Sequence, residues 1–193
     1  MEQNFLQKNK TLVIVVALIV VLGLWSVGKY NSFVSQNEGI SNQWAQVENQ
    51  LQRRFDLIPN VINTVKGIMK QEKDIFTSLA EARTRYSGSA TIDEKAKAAG
   101  QVESSLARLL VISENYPELK SSQSFRDLTV ELEGTENRIS VERMKYNDLV
   151  KNLNTNVKVF PNSLFASIFG VNERAYFQIA EEAKGVPKVD FNQ

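Results

Sequence analysis

The most distinctive feature of the chain is an uninterrupted apolar stretch near its N-terminus. No charged residue lies between Thr11 and Gly28, where Val, Leu and Ile dominate. Eighteen helical residues at about 1.5 Å each reach about 27 Å, close to the roughly 30 Å hydrocarbon core of a bilayer. Lipid offers the backbone no outside hydrogen-bond partner, so the stretch is expected to be helical there. It predicts a transmembrane helix over residues 11–29, with these membrane-spanning side chains: Leu12, Val13, Ile14, Val15, Val16, Leu18, Ile19, Val20, Val21, Leu22, Leu24 and Trp25.

Two other interpretations of this stretch are less favoured. Ser26-Val27-Gly28 has the small-x-small pattern of a signal-peptide cleavage site. However, the apolar run exceeds the usual 7–15 residues of a signal peptide, and a helical pattern begins directly after it. A buried core helix without a polar face would need a very large core around it. A retained membrane anchor is therefore the preferred interpretation.

Flanking charges predict the orientation of this helix. Lys8, Lys10 and the α-amino group precede the apolar stretch, whereas Lys29 alone follows it before Arg53. Positive charge favours the cytoplasmic side. The N-terminal tail, residues 1–10, is therefore expected in the cytoplasm, and the remainder of the chain outside it.

The pattern after residue 29 is periodic and helical. Apolar positions recur every three or four residues, and only Asn37 interrupts the series. Pro59 removes one helical hydrogen bond and clashes with the preceding turn, so we expect a kink or short break near Leu57–Pro59. The series consists of Tyr30, Phe33, Asn37, Ile40, Trp44, Val47, Leu51, Phe55, Ile58, Ile62, Val65 and Met69, and it resumes through Ile75, Phe76, Leu79 and Ala82.

Turn and capping signals divide the middle of the chain. Ser87-Gly88-Ser89 indicates a linker. Thr91 and Glu94 then have the spacing of a capping box, in which each residue satisfies a backbone N–H near the other. The helix that follows should end at Tyr116-Pro117, because a residue before proline disfavours the helical region.

A second long apolar series predicts a second long helix. Ser122 or Ser124 is its candidate N-cap, and Pro161 should stop it. Asn172 is a candidate N-cap for a short helix reaching about Ala183. The series itself consists of Phe125, Leu128, Leu132, Ile139, Tyr146, Leu149, Leu153, Val157 and Phe160.

These elements predict an all-α protein. No window shows the sustained alternation of a half-buried strand. Neither long helix can cover its apolar face alone, so we expect an N-terminal transmembrane helix followed by an elongated antiparallel helical bundle with two long helices. The bundle domain is expected over residues 30–186, with a C-terminal tail at 187–193.

Composition removes many functional classes. The chain has 23 Lys and Arg against 22 Asp and Glu, a net charge of +1, and no lysine-rich run, which argues against a nucleic-acid partner. The absence of Cys excludes disulfides, thiolate metal sites and cysteine nucleophiles. The absence of His excludes Ser-His-Asp triads, HExxH proteases and Glu-x-x-His di-iron sites.

Carboxylates remain as candidate chemistry. Glu133 and Glu136 share a helix face at i,i+3, and with Asp148 they would form the core of a metal or acid–base site. Salt bridges on an exposed face, such as Glu142 with Arg138, are the favoured alternative. Arg53, Arg54 and Asp56, beside Pro59, are expected to tie that region to a neighbouring helix, and Gly134 suggests a close helix approach.

Aromatic residues are concentrated near the C-terminal end of the second long helix. Such a group usually caps the end of a bundle, but it is also the best candidate for contact with a protein partner or a membrane surface. The candidate partner-contact residues are Phe160, Leu164, Phe165, Phe169, Tyr176 and Phe177.

Seven sequence blocks occur in order along the chain: RRFDLIPNV (Arg53–Val61), VKGIMKQE (Val65–Glu72), ENYPELK (Glu114–Lys120), ELEGTENRI (Glu131–Ile139), KYND (Lys145–Asp148), NVKVFPNSLFASIFG (Asn156–Gly170) and VPKVDF (Val186–Phe191). Together these blocks resemble the LemA family. The resemblance implies a bacterial inner-membrane protein with one N-terminal span and a helical-bundle domain, and it implies no catalytic activity. The segment Gly67–Glu72 lacks a His that the family often has, so no role of that His can be carried over.

Together these features predict a membrane-anchored scaffold or adaptor for envelope proteins that acts by contact. No enzymatic activity, cofactor or bound metal is expected. The predicted partners are the membrane, through a single span, and an unidentified envelope protein, with a second copy of the chain as a further candidate. The alternative is a carboxylate-based, metal-dependent receptor or enzyme.

Overall fold

A computed structural model describes residues 10–178, and the regular elements within that range are all α-helices. The prediction of an all-α protein is confirmed for this part of the chain. The helices are α1 (Lys10–Lys66), α2 (Lys73–Gly88), α3 (Ile92–Ser113), α4 (Pro117–Ser121), α5 (Gln123–Lys158) and α6 (Asn162–Phe169).

The described residues form two compact units. The first, called the N-unit, comprises residues 10–42 and 148–174. The second, called the M-unit, comprises residues 43–147 and 175–178. Helices α1 and α5 contribute residues to both units.

The M-unit has a conventional apolar core. Each of its helices contributes buried side chains at helical spacing, as expected when amphipathic helices pack face to face. Its buried apolar residues include Val47, Leu51, Phe55, Ile58, Val61 and Val65 of α1, Ile75 and Leu79 of α2, Val102, Leu106 and Leu109 of α3, Leu119 of α4, and Leu132, Ile139 and Tyr146 of α5.

Polar contacts show that helices in the M-unit run antiparallel. Gln43 Nε2 donates to a Glu142 carboxylate oxygen, and further along α1 Arg53 pairs with Glu131, earlier in α5. In the same way, Ser78 and Ser105 share a hydroxyl hydrogen bond of 2.8 Å, and further along α2 Arg85 donates to Gln101, earlier in α3.

Helix α1 continues through Pro59 to Lys66, so the expected short break near Leu57–Pro59 is wrong, and the alternative of a kink there stays a prediction. Proline costs about 3 kcal/mol inside a helix. Leu57, Ile58 and Val61 surround it and are all buried. Burial of such side chains contributes about 1.5–3 kcal/mol each, which outweighs the missing hydrogen bond. The helix ends instead at Lys66, just before Gly67.

The predicted N-caps of α3 and α5 are confirmed. Thr91 Oγ1 accepts from the Glu94 N–H, and the Glu94 carboxylate accepts from the Thr91 N–H, which completes the capping box of α3. Helix α3 ends at Ser113, and Pro117 opens the short α4. Of the two candidate serines before α5, Ser122 accepts from the Phe125 N–H.

Two expectations near the C-terminus are corrected. Helix α6 was not predicted from the sequence. The helix expected to start at Asn172 is not formed there, because residues 171–178 are not helical. The rest of that expected helix, to Ala183, and the tail at 187–193 lie outside the described residues. A Schellman motif ends α6, with Gly170 at φ 66° and the Val171 N–H donating to the Ala166 carbonyl oxygen at 2.9 Å.

Candidate functional site

The N-terminal half of α1 exposes its apolar side chains. This is a single helix long and apolar enough to cross a membrane, and none of its most apolar window is buried. Such exposure would be unfavourable in water, which indicates a site for contact with another apolar phase. All twelve side chains predicted to span the membrane are exposed: Leu12, Val13, Ile14, Val15, Val16, Leu18, Ile19, Val20, Val21, Leu22, Leu24 and Trp25.

Helix α6 packs beside the C-terminal end of this apolar stretch. The ring centroids of Trp25 and Phe165 are 4.9 Å apart in an edge-to-face arrangement, and those of Tyr30 and Phe169 are 5.3 Å apart. Edge-to-face pairs at such distances are favourable because the positive ring edge meets the negative face. The Nζ of Lys29 lies 5.6 Å from the Trp25 ring centroid. Two aromatic pairs therefore join α6 to α1.

A neighbouring side of α6 is uncovered. Leu164 and Ile168 lie one turn apart on α6 and are 57% and 74% exposed, and Phe160, just before the helix, is 75% exposed. We call these three residues the α6 stripe. The helix is thus apolar on the side that contacts α1 and on the neighbouring exposed side.

The six predicted partner-contact residues do not form one cluster. Phe160 and Leu164 are exposed, whereas Phe165 and Phe169 are half-buried against α1. Tyr176 and Phe177 belong to the M-unit.

The prediction that Phe177 is a partner contact is wrong. Its side chain is 2% exposed, and its ring lies 5.6 Å from that of Trp44. Phe177 therefore fills the core of the M-unit, because its backbone is held there by the Asn147 side chain.

An asparagine on α5 fixes the backbone of Arg174. Asn154 is 5% exposed, its Oδ1 accepts from the Arg174 N–H at 2.8 Å, and its Nδ2 donates to the Arg174 carbonyl oxygen at 2.9 Å. The Arg174 Nε also donates to Asn37 Oδ1 at 3.1 Å. Buried polar groups need such partners, and here they satisfy a chain segment that has no secondary structure.

The M-unit contains a similar arrangement, in which Asn147 of α5 holds the backbone of Phe177. Asn147 accepts from the Phe177 N–H at 2.9 Å and donates to the Phe177 carbonyl oxygen at 3.1 Å. The Tyr146 hydroxyl donates to the Ala175 carbonyl oxygen. The sequence predicted a tie between helices here, but the partner is the extended C-terminal segment. The available signal was the seven-residue spacing of Asn147 and Asn154, which places two amides on one face of α5.

Charged residues of the M-unit line a groove of about 420 Å³. Arg54 is 8% exposed and pairs with Glu136, and its Nε is buried without a hydrogen-bond partner. Burial, and then repulsion from Glu136, raises the pKa of Glu103, while Arg54 and Arg143 act in the opposite direction. Apolar side chains complete the lining of the groove: Leu106, Ala107, Leu110 and Leu132.

The predicted carboxylate site is not assembled as expected. Glu133 and Glu136 line this groove, but Asp148 is exposed and belongs to the N-unit. Within residues 10–178, no three acidic side chains are placed to hold a metal ion.

The predicted tie to a neighbouring helix is confirmed for Arg53 and Arg54, whereas Asp56 accepts from Gln52 of its own helix. Arg53 and Arg54 pair with Glu131 and Glu136. Glu142 does not pair with Arg138, because it accepts instead from Lys145 and Gln43, which together lower its pKa. A Cβ at Gly134 would meet nothing within 4 Å, so the expected close helix approach there is wrong.

Magnetosome proteins of two organisms are similar to this chain. The magnetosome protein MamQ 2 of Paramagnetospirillum magneticum is 25% identical over 78% of this chain, and the magnetosome protein MamQ of Magnetospirillum gryphiswaldense is 24% identical over 77%. The match spans only 65% and 64% of the length of these curated relatives.

A family comparison agrees with the resemblance of the sequence blocks. The family match covers residues 43–191. This range includes the whole M-unit and also helix α6. Because the matching region is well over half of the chain, it settles the relationship: the chain belongs to the LemA family.

Proposed function

We propose that this protein is a membrane-anchored scaffold that acts by contact and has no catalytic activity. One observation carries the proposal: a charge-free, unburied apolar stretch is continuous with the helix that supplies a large part of the M-unit core. The relatives are named for the magnetosome and not for a reaction, which supports a structural role.

Fractionation of the full-length chain tests the anchor. We expect it in the membrane pellet, resistant to high salt and alkaline carbonate and released by detergent, because a transmembrane helix inserts almost irreversibly. Release by salt or carbonate alone would show a peripheral protein and contradict the proposal.

The orientation of the span is part of the proposal. The lysines at positions 8 and 10 against Lys29 favour a cytoplasmic N-terminus and an extracytoplasmic M-unit. Alkaline phosphatase fused to the C-terminus should be active, and a cytoplasm-dependent reporter fused there should not. The opposite pair of results would reverse the assignment.

The partner surface is better placed on α5 than on the predicted aromatic residues. Of those six, the structure leaves only Phe160, Leu164 and Tyr176 exposed, whereas a standard interface buries about 800 Å² on each side. Helix α5 exposes Val130, Val141 and Met144, whose spacing places them on one face opposite its core residues.

Photo-crosslinking in native membranes tests this placement. A photoreactive residue at Val141 or Met144 should capture a protein partner or a second copy of the chain. The matched control is Val111, an exposed valine of α3 that is 63% accessible. Equal capture at all three positions, or none at the α5 positions, would contradict a specific docking face.

One observation supports a second candidate, a carboxylate-based, metal-dependent receptor or enzyme. Glu103, with its raised pKa, lines the same groove as Glu133 and Glu136. Ca²⁺, Mg²⁺ or Mn²⁺ should then raise the melting temperature of the detergent-solubilised chain, and Glu133→Gln with Glu136→Gln should abolish the increase. Unchanged melting temperatures would remove this candidate.

A further inference from the structure

The α6 stripe needs an explanation that the anchor alone does not supply. Phe160, Leu164 and Ile168 are large apolar side chains with most of their surface uncovered; Leu164 and Ile168 lie one turn apart on α6, and Phe160 lies just before it. Monomeric proteins in water rarely expose such a continuous apolar surface without a function. The inner face of α6 is already occupied by Trp25 and Tyr30 of α1.

The position of α6 along α1 identifies the neighbouring phase. Phe165 contacts Trp25, which lies in the last turn of the apolar stretch that ends at Gly28. Aromatic residues such as Trp25 and Tyr30 prefer the boundary between headgroups and acyl chains. If α1 spans a bilayer, its aromatic contacts place α6 at that boundary.

The distribution of charge around α6 fits the same boundary. No charged residue lies between Val159 and Asn172. Charges occur only where the segment joins the rest of the N-unit, where Lys158 pairs with Glu173 at 2.7 Å and Asn154 holds the Arg174 backbone. The segment 159–172, which contains α6, is therefore held by polar contacts at both ends and is free of charge between them. This is the arrangement expected for a segment that enters lipid from one side.

We propose that α6 is a second membrane contact, in which Phe160, Leu164 and Ile168 insert among the lipids at the bilayer boundary beside Trp25. This inference rests on the proposed function, because it requires α1 to be in the membrane. The occupant of the stripe is lipid and not a protein: the stripe belongs to the segment that packs on Trp25 at the end of the exposed apolar stretch of α1, and its three side chains are too few for a standard protein interface. An apolar helix with one face in lipid would then hold the N-unit at a fixed depth.

Single-cysteine labelling of the full-length chain tests the proposal. The sequence contains no cysteine, so each introduced cysteine carries the only label. The variants are Ile168→Cys in α6, Leu18→Cys in the span, and Val111→Cys in α3, which at 63% exposure is close to the 74% of Ile168 and lies outside the proposed docking face of α5. Each carries an environment-sensitive fluorophore, and the protein is reconstituted in vesicles of phosphatidylcholine and phosphatidylglycerol. Quenching is measured with iodide in the water and with nitroxides on the lipid chains.

The proposal makes a clear prediction for the three labels. The labels at positions 168 and 18 should show blue-shifted emission, quenching by the lipid nitroxides and loss of iodide quenching. The label at 111 should be quenched by iodide and insensitive to the nitroxides, because the exposed charged residues Arg108 and Glu114 flank it.

Other results separate the failure of this inference from failure of the anchor. If the label at 18 is quenched by lipid nitroxides and that at 168 by iodide, the anchor stands and the α6 inference is wrong. If the label at 168 is protected from both quenchers, protein covers the stripe, which also overturns the inference. If the label at 18 is not quenched by the nitroxides, the anchor itself fails and the α6 inference fails with it.

Discussion

The two halves of helix α1 differ in the exposure of their apolar side chains. Leu18 and Ile19, in the N-unit, are 57% and 62% exposed, whereas Val47 and Leu51, in the M-unit, are 0% and 2% exposed. The same helical backbone therefore serves two environments. Over the apolar stretch, residues 11–28, the apolar side chains lie on the outside of the protein, while those of α1 in the M-unit lie inside it.

The contrast shows that apolar content alone does not identify a core. What separates the two regions is the angular distribution of the apolar residues. They surround the helix over residues 11–28 and form a stripe from Phe33 onward. An apolar surface on all sides suits lipid, and a stripe suits packing against other helices.

Charging the span should have the largest effect on this contrast. Val16→Lys with Val20→Lys should cost about 5–7 kcal/mol of insertion free energy, since each lysine near a helix centre costs about 2.5–3.5 kcal/mol. We expect the double variant to leave the membrane pellet. The control, Val130→Lys with Val141→Lys on α5, changes exposed valines outside the span and should pellet as the parent does. A charged span that still pellets would contradict the membrane assignment.

Core truncation in the M-unit should have the next largest effect. Leu109 is 0% exposed, and Leu109→Ala should lower the free energy of unfolding by about 2–5 kcal/mol through lost burial and a residual cavity. Denaturant unfolding of the detergent-solubilised chain, followed by circular dichroism, measures the change. Val111→Ala, on the exposed side of the same helix, should change the value by less than about 0.5 kcal/mol. Equal losses would show that α3 has no inner face.

The adjacent residues Arg53 and Arg54 allow an exposed ion pair to be compared with a largely buried one. The Arg54 side chain is 9% exposed, and Arg54→Ala should cost about 1–3 kcal/mol because it leaves Glu136 unpaired in a partly buried position. The Arg53 side chain is 52% exposed, and Arg53→Ala should cost no more than about 1 kcal/mol. Denaturant unfolding measures both. A larger loss from Arg53→Ala would reverse this ranking.

Loss of the α3 cap should have a smaller effect. Thr91→Ala removes the acceptor of the Glu94 N–H and should cost about 1 kcal/mol of unfolding free energy. Thr91→Ser keeps the oxygen and should restore most of the stability. If serine and alanine behave alike, the capping box does not stabilise the helix.

The smallest predicted effect is a pH dependence of opposite sign at two glutamates. Burial raises the folded-state pKa of Glu103, so the stability that it contributes is present at low pH and is lost as pH rises through that pKa. Backbone hydrogen bonds from Thr91 and Ala90 lower the pKa of Glu94, so its contribution is present at neutral pH and is lost on acidification.

Melting temperatures from about pH 4 to about pH 7, near and above the ordinary pKa of Glu, measure these contributions. Relative to the parent, Glu103→Gln should gain stability as pH rises, and Glu94→Gln should lose it. If both variants changed stability with pH in the same direction, the opposite pKa shifts of Glu103 and Glu94 would not explain the pH dependence of stability.

The sequence predicted the features that depend on local rules. The long apolar series identified the helices that became α1 and α5, and the spacing of Thr91 and Glu94 identified a cap whose chemistry is contained within four residues. Where tertiary packing competed with a local rule, prediction failed: Pro59 stays helical because its neighbours are buried.

The features that the sequence did not reveal depend on contacts between distant residues. Asn172 has the chemistry of an N-cap, but side-chain amides of α5 hold the backbone of Arg174 and Phe177 and so keep residues 171–178 out of a helix. The aromatic cluster was correctly located in the sequence, but its division between two units could not be read from it. Likewise, the residue types predicted that Arg54 would form a tie, but not that Glu136 would be its partner.

The contact of Asn154 with Arg174 has a consequence for substitution tolerance. The Asn154 side-chain amide contacts residue 174 through its main chain, by one N–H and one carbonyl oxygen. Many side chains at 174 would preserve that recognition, whereas even Asp at 154 would exchange a donor for an acceptor and repel the carbonyl. A saturation library should therefore accept broad variation at 174 and almost none at 154, although both residues take part in the same contact.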